Sequence, residues 1–255
     1  MAGPVVAQTA MPEDLTAAVQ LASDRGELLY VYDRAAWLGT DDFRDHYPSD
    51  LTGQVGGYVV SGDQIRAELV FFDKSKSKAV YRAAFAGGKL ANNGPPAPDR
   101  TELSALEKQL IWAKDKGLEA FVEAKVGLCA DAKPNLAALS PERPGGPIIV
   151  YMMTPQTDLS KFPLGGHFSV EVGQDGSVGK VRRFMNSCLE MKPDQVPKGA
   201  KPILFWTGHL LDPTPTEVHV FTSLASKMPI VVGTPNKRFW MVKGNSIQAV
   251  DPNKK

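Results

Sequence analysis

The chain predicts an α+β fold: mainly antiparallel sheet of about ten strands with two principal helices. Three observations point there. Apolar residues at helical spacing occur in two stretches, Pro12–Arg25 and Asp99–Val122. Short apolar runs separated by turn chemistry fill most of the rest. No alternation of strand and helix appears, so a doubly wound parallel sheet is not expected.

The first helix opens at Pro12, which suits a first turn, with Glu13 and Asp14 complementing the dipole. Leu15, Val19 and Ala22 set its spacing, and Gly26 reads as its C-cap. Leu28–Tyr32 (LLYVY) then reads as a buried strand. Tyr58–Val60, Ile65–Phe72 and Lys78–Phe85 form an antiparallel meander, joined by SGDQ and DKSKSK. Gly87–Pro98 reads as a loop. Asp99 and Glu102 have the spacing of a capping box. The helix that follows has a stripe of Leu103, Leu106, Leu110 and Ala113, extended by Leu118, Phe121 and Val122, with Lys114, Asp115 and Lys116 on its polar face and a weak point at Gly117.

The proline-rich stretch Lys133–Pro147 reads as a linker or a long surface loop. This gives two segments, residues 1–132 and 148–255, or one continuous domain. The second segment reads as strands throughout: Ile148–Met152, Gly166–Val172 and Ser177–Phe184 around the hairpin signal GQDG, then Ile203–Leu210, Glu217–Leu224, Ile230–Thr234, Phe239–Val242 and Ile247–Val250.

Composition excludes several functions. With 29 Lys+Arg against 28 Asp+Glu, the net charge is +1, which lacks the basic footprint of a nucleic-acid binder. A hydrophobic share of 43% suits a globular chain. No run approaches the roughly 18 apolar residues of a membrane helix, so no membrane insertion is expected. The start, MAGPVVAQTA, has no basic region followed by a long apolar one; it reads as an ordinary terminus or as the small-residue remnant of an export cleavage site. The 2 cysteines, Cys129 and Cys188, either pair in an oxidising compartment or are independent buried thiols. Pairing would stabilise by about 4 kcal/mol in the chain-entropy model.

Three groups of residues have chemistry to offer. His167, His209 and His219, with Glu217 and Asp212 nearby, are the side-chain types that bind zinc or another divalent metal, although no HExxH is present. Cys188 beside a histidine such as His167 would make a nucleophile–base pair, although no nucleophile motif flanks it. Asp33, Arg34 and Trp37 combine a carboxylate, a guanidinium and an aromatic, a combination suited to clamping a small polar ligand. Equally, Asp33 ends a strand and Trp37 packs in the core. The glycine pairs match no phosphate loop.

The stretches YDRAAWLGTD, PLGGHFSVEVGQDGSV with FMNSCL, and PTEVHVFTSLASKMPIVVGT together resemble a family of secreted proteobacterial proteins of unknown function. That resemblance implies an exported periplasmic or secreted protein and assigns no catalytic residue. The leading expectation is a soluble envelope protein that binds an unknown protein, peptide or small molecule at a sheet edge or loop-lined cleft, without a cofactor. The alternative is a metal-dependent or Cys/His hydrolase-like enzyme centred on His167.

Overall fold

In a computed structural model, residues 7–8, 11–47, 53–193 and 204–251 are described. The reading of the first ten residues lies outside these except for Ala7–Gln8 (β1), which pairs with the last strand. The start of the expected strand Ile203–Leu210 is also outside them.

Glu13–His46 forms one helix, α1, of 34 residues, which at 1.5 Å per residue is about 51 Å long. The expected stop at Gly26 and the strand at Leu28–Tyr32 do not occur. The reason is tertiary. The buried residues Val19, Ala22, Gly26, Leu29, Tyr32, Ala35, Gly39 and Phe43 follow one another at three- and four-residue steps along the whole length. Gly26 is a contact point, not a cap. A Cβ there would lie 2.5 Å from Val220 Cβ and 2.6 Å from the Glu217 carbonyl oxygen. The absent side chain therefore sets how closely another helix approaches.

The meander forms as expected: β2 (Val55–Gly62), β3 (Arg66–Asp73) and β4 (Ala79–Ala86) pair antiparallel. The following stretch contains a fourth strand, β5 (Lys89–Gly94), where a loop was expected. Its residues are almost all exposed, so it carries no apolar signal. Helix α2 (Ala105–Glu123) starts later than expected, with the capping box on Ser104 and Glu107; Asp99 lies in a separate short turn of helix, Pro98–Arg100. Glu107 is buried and takes two hydrogen bonds from Arg82 on β4, at 2.6 and 3.0 Å. The apolar stripe is rotated from the expected one. Leu110, Ile111, Ala113 and Phe121 are buried, while Leu106, Leu118 and Val122 are exposed. Gly117 introduces no weak point; a Cβ there would lie 2.6 Å from Val150 Cγ1.

A second sheet has the order β10-β9-β7-β6, all antiparallel: β6 (Asn135–Leu139), β7 (Ile148–Met153), β9 (Phe168–Val172) and β10 (Arg182–Arg183). β6 lies inside the stretch read as linker or loop. β8 (Phe162–Pro163) and β11 (Glu190–Met191) form a two-residue ladder. The third sheet has the order β1-β15-β14-β13-β12, from β12 (Phe205–Gly208), β13 (Ile230–Gly233), β14 (Phe239–Lys243) and β15 (Ser246–Asp251). Here β12 and β13 are parallel, and the segment between them is helix α3 (Glu217–Ser226), not the expected strand. One strand–helix–strand crossover thus exists in an otherwise antiparallel fold. The α+β class stands, with three α-helices among the described residues and more strands than ten.

The cores show how the layers join. One cluster places Leu29, Tyr32, Ala35 and Phe43 of α1 on both Val60, Leu69 and Tyr81 of the first sheet and Ile149 and Tyr151 of the second. A second cluster places Leu110, Ile111 and Phe121 of α2 with Val59 and Val70 on one side and Val150, Phe168 and Val170 on the other. The third sheet packs its Ile230, Val232 and Trp240 against Val220 of α3 and Val19 and Ala22 of α1. The two expected segments, 1–132 and 148–255, therefore share their cores.

Gly26→Ala and Gly117→Ala are expected to destabilise. Alanine gains about 1 kcal/mol of helix propensity, but overpacking at these contacts costs roughly 1–3 kcal/mol. Urea denaturation should show a lower midpoint for each variant at unchanged slope; a raised midpoint would show that the interfaces have room.

Candidate functional site

A cleft runs along the middle of α1 and encloses about 1420 Å³, mouth included. One wall is α1 itself. Helical spacing puts Asp33, Arg34, Trp37 and Asp41 along one side of the helix, facing the cleft. The facing wall is the segment after β7, with Thr154, Gln156 and His167, and α3 closes the end with Phe221 and Thr222. The three residues expected to clamp a ligand, Asp33, Arg34 and Trp37, thus share this wall, on a helix and not at a strand end. Trp37 is 49% exposed, so it is not a core residue. The Arg34 guanidinium lies 4.1 Å from the centroid of the Trp37 ring, a cation–π arrangement.

Asp33 also lines a narrow adjoining recess, about 440 Å³ with its open mouth included, together with Leu29, Tyr58, Val60, Lys114 and Leu136 among others. Among the described residues its carboxylate has no hydrogen bond and no ion pair. Burial raises its pKa to about 6, and the Arg34 charge pulls it back only in part. Lys114 reaches the same recess from α2. Its Nζ donates to the Tyr58 carbonyl oxygen at 2.8 Å and lies 4.2 Å from the Tyr58 ring centroid. Burial lowers its pKa to about 8. Tyr58 is pushed up to about 12 by burial and by the Asp33 charge.

The facing wall is held rigidly by local bonds. Cys129 and Cys188 form a disulfide 59 residues apart in sequence, so Cys188 has no thiol with which to act as a nucleophile. The Cys129 amide donates to Thr154 Oγ1 (3.1 Å), which in turn donates to the Gly166 carbonyl (2.9 Å). The Thr154 amide donates to His167 Nδ1 at 3.2 Å. The His167 proton is therefore on Nε2, which donates to the Pro163 carbonyl at 3.1 Å. Burial lowers the pKa of this ring to about 4, against a weaker upward pull from the Pro163 carbonyl. Both nitrogens are committed to backbone, leaving no lone pair for a metal or a substrate proton.

Of the other two histidines, His219 lies in the first turn of α3 and His209 directly follows β12. The His209 and His219 rings meet edge to face with centroids 4.9 Å apart. His209 Nε2 donates to Asp212 at 2.8 Å, and Asp212 also accepts from Arg182 at 3.1 Å. His219 Nδ1 accepts from the Thr216 amide at 3.1 Å, completing the cap of α3. Glu217 accepts from the Tyr151 hydroxyl at 2.9 Å. These bonds engage one nitrogen of each of the two rings. Among the nitrogens of the three buried rings only His209 Nδ1 retains a free lone pair, since His219 Nε2, which also lacks a partner, must carry its ring's proton. The metal centre expected from His167, His209, His219 and Glu217 does not assemble, and among the described residues no three His, Cys, Asp or Glu side chains are arranged to hold a metal ion.

Sequence reasoning missed Tyr58, Lys114 and Thr154. Lys114 reads as an ordinary polar-face lysine, and only its contact with Tyr58 of β2 sets it apart. Comparison with protein-family models, with curated proteins and with solved structures finds no match to this chain. No helix among the described residues is long and apolar enough to cross a membrane.

The buried histidines make stability depend on pH. His167 is lowered to about 4 and His219, by burial first, to about 3, both below the 6.5 of a free imidazole. The unfolded chain then binds protons that the folded chain refuses. Their contribution is complete above about pH 6.5 and is lost as pH falls toward about 4. Asp33 acts in the opposite sense: its folded value near 6 exceeds the ordinary 3.8, so acidification across that window restores stability. The urea midpoint should fall across this window, and fall more steeply in Asp33→Asn. A flat profile in both proteins would show that the rings are not held neutral.

Proposed function

We propose that this is an exported binding protein that takes a small polar molecule in the cleft along α1. The observation that carries the reading is Asp33: a carboxylate on the α1 wall of a large cleft without a hydrogen bond or ion pair among the described residues, beside an exposed Trp37. A part-buried carboxylate left without a protein partner is open to a polar ligand. Arg34 and Trp37 supply a charge and a flat aromatic face on the same wall.

Export is supported by the Cys129–Cys188 disulfide, since such bonds persist in oxidising compartments, and by the sequence resemblance to secreted proteins. The hydrolase reading finds no support at His167 or Cys188, whose reactive atoms are engaged elsewhere.

Proton–nitrogen NMR of the indole groups during titration with a mixture of small amines, acids and amides tests the cleft. The Trp37 signal should shift for a subset of these probes, with affinity reduced by about tenfold or more in Asp33→Asn, as expected for loss of a charge-assisted contact of about 1.5–3 kcal/mol. Shifts confined to other indoles, or unaltered by Asp33→Asn, would remove the cleft as the binding site.

A further inference from the structure

The charged side chains that line the cleft all stand on α1: Asp33, Arg34, Asp41 and Arg44. The facing wall, between Met153 and His167 and on α3, lines the cleft only with uncharged groups, among them Leu159, Phe162 and Phe221. One wall thus carries two carboxylates against two guanidinium groups, and the other is mostly apolar. Among the described residues none of the four makes a hydrogen bond or an ion pair. Asp41 and Arg44 stay apart even though their three-residue spacing is one at which helical charges meet. Arg34 alone is engaged, on the Trp37 ring.

Charges that only kept a helix face wet would leave the rest of the cleft without unmet polar groups. Thr222 of α3 is such a group. It lines the cleft, is 1% exposed, and its hydroxyl has no hydrogen-bond partner among the described residues. A buried hydroxyl without a partner is a cost that a ligand's donor or acceptor removes. Leu159, 79% exposed, adds apolar surface that the fold itself leaves uncovered. A balanced pair of charges on one wall and apolar surface on the other match a ligand with both charges and an apolar side.

The spacing of the charges sets its length. Asp33 and Arg44 bracket the set and are separated by about 16 Å of helical rise. A single α-amino acid carries both charges on one carbon and cannot span them. An extended peptide advances about 3.3 Å per residue, so about four or five residues place one charged end at each. The direction follows from what each group lacks. Asp33 is part-buried and unpartnered, and a terminal ammonium supplies its missing charge and donors. Arg44 is exposed and unengaged, so its fork is open to a terminal carboxylate. Between them Arg34 offers donors and Asp41 an acceptor to peptide groups, and side chains on alternate residues face the apolar wall.

We infer that the cleft takes a short peptide with free ends, its N-terminal ammonium on Asp33, its C-terminal carboxylate on Arg44 and an apolar side chain against the facing wall. This deepens the binding-protein reading and rests on it.

The probes are alanine peptides of increasing length, each with one phenylalanine, and free phenylalanine, titrated into the full chain and read by the Trp37 indole signal. Affinity should rise up to about four or five residues and then level off, with free phenylalanine weaker by about tenfold or more. Acetylating the N-terminus should weaken binding by about tenfold. Asp33→Asn should weaken the free peptide equally and leave the acetylated one unchanged. Amidating the C-terminus should cost about threefold, because Arg44 is exposed, and Arg44→Gln should abolish that difference. Caps that leave the affinity unchanged, or free phenylalanine that binds as tightly as the peptides, overturn the inference. A Trp37 signal that moves with small amines, acids or amides but with no peptide also overturns it, and the cleft then stands with another ligand. A Trp37 signal that moves with none of these probes removes the cleft and the peptide together.

Discussion

The close approach of α1 to its neighbours is the constraint on which the remaining structure depends. A helix of 34 residues is long enough to touch all three sheets, but only if its buried face lets them come near. Gly26 admits α3, and Gly39 admits Leu69 of β3, where a Cβ would lie 2.4 Å from Leu69 Cδ2. Between these two points Leu29, Tyr32 and Ala35 fill the core that joins the first and second sheets. Before them Val19 and Ala22 belong to the core of the third sheet. The helix is thus the shared member of two cores, and its opposite side is left to line the cleft.

This arrangement explains why the cleft carries unpaired charge. The first and second sheets lie edge to edge at β2 and β6 but do not pair, and the gap between them is the narrow recess. Tyr58 on β2 and Asn135 on β6 face it from either edge, α1 covers it with Asp33, and α2 reaches it with Lys114. The facing wall is fixed by the disulfide, Thr154 and the neutral His167, a set of bonds that holds shape and performs no chemistry.

Much of this was legible in the sequence, and what was not follows a pattern. The meander from β2 to β4 and the last three strands showed because alternation and turn residues are local signals. The second helix showed because its stripe is long, although its cap lay five residues further on, at Ser104. Segments that mislead are those whose partner is distant. LLYVY has strand-like composition, and only the core it serves, between the first and second sheets, makes it helix. VHVFTSL was read as strand for the same reason, while Thr216 and His219 cap it as helix α3. β5 is exposed and β6 is framed by prolines, so neither carried an apolar pattern. At the site, the cluster of Asp33, Arg34 and Trp37 was visible as chemistry but was placed on the wrong kind of element. The histidines drew attention as metal ligands, yet each buried ring found a backbone or carboxylate partner, the usual fate of a buried polar group.

What matters most is the state of Asp33, a part-buried carboxyl that α1 presents to the cleft without a protein partner among the described residues. Carbon NMR of the aspartate side chains over a pH series measures this directly. The account predicts one carboxyl titrating near 6, absent in Asp33→Asn and displaced when a ligand occupies the cleft. If Asp33 titrates at the ordinary 3.8, the carboxyl is solvated or paired, and the claim is contradicted.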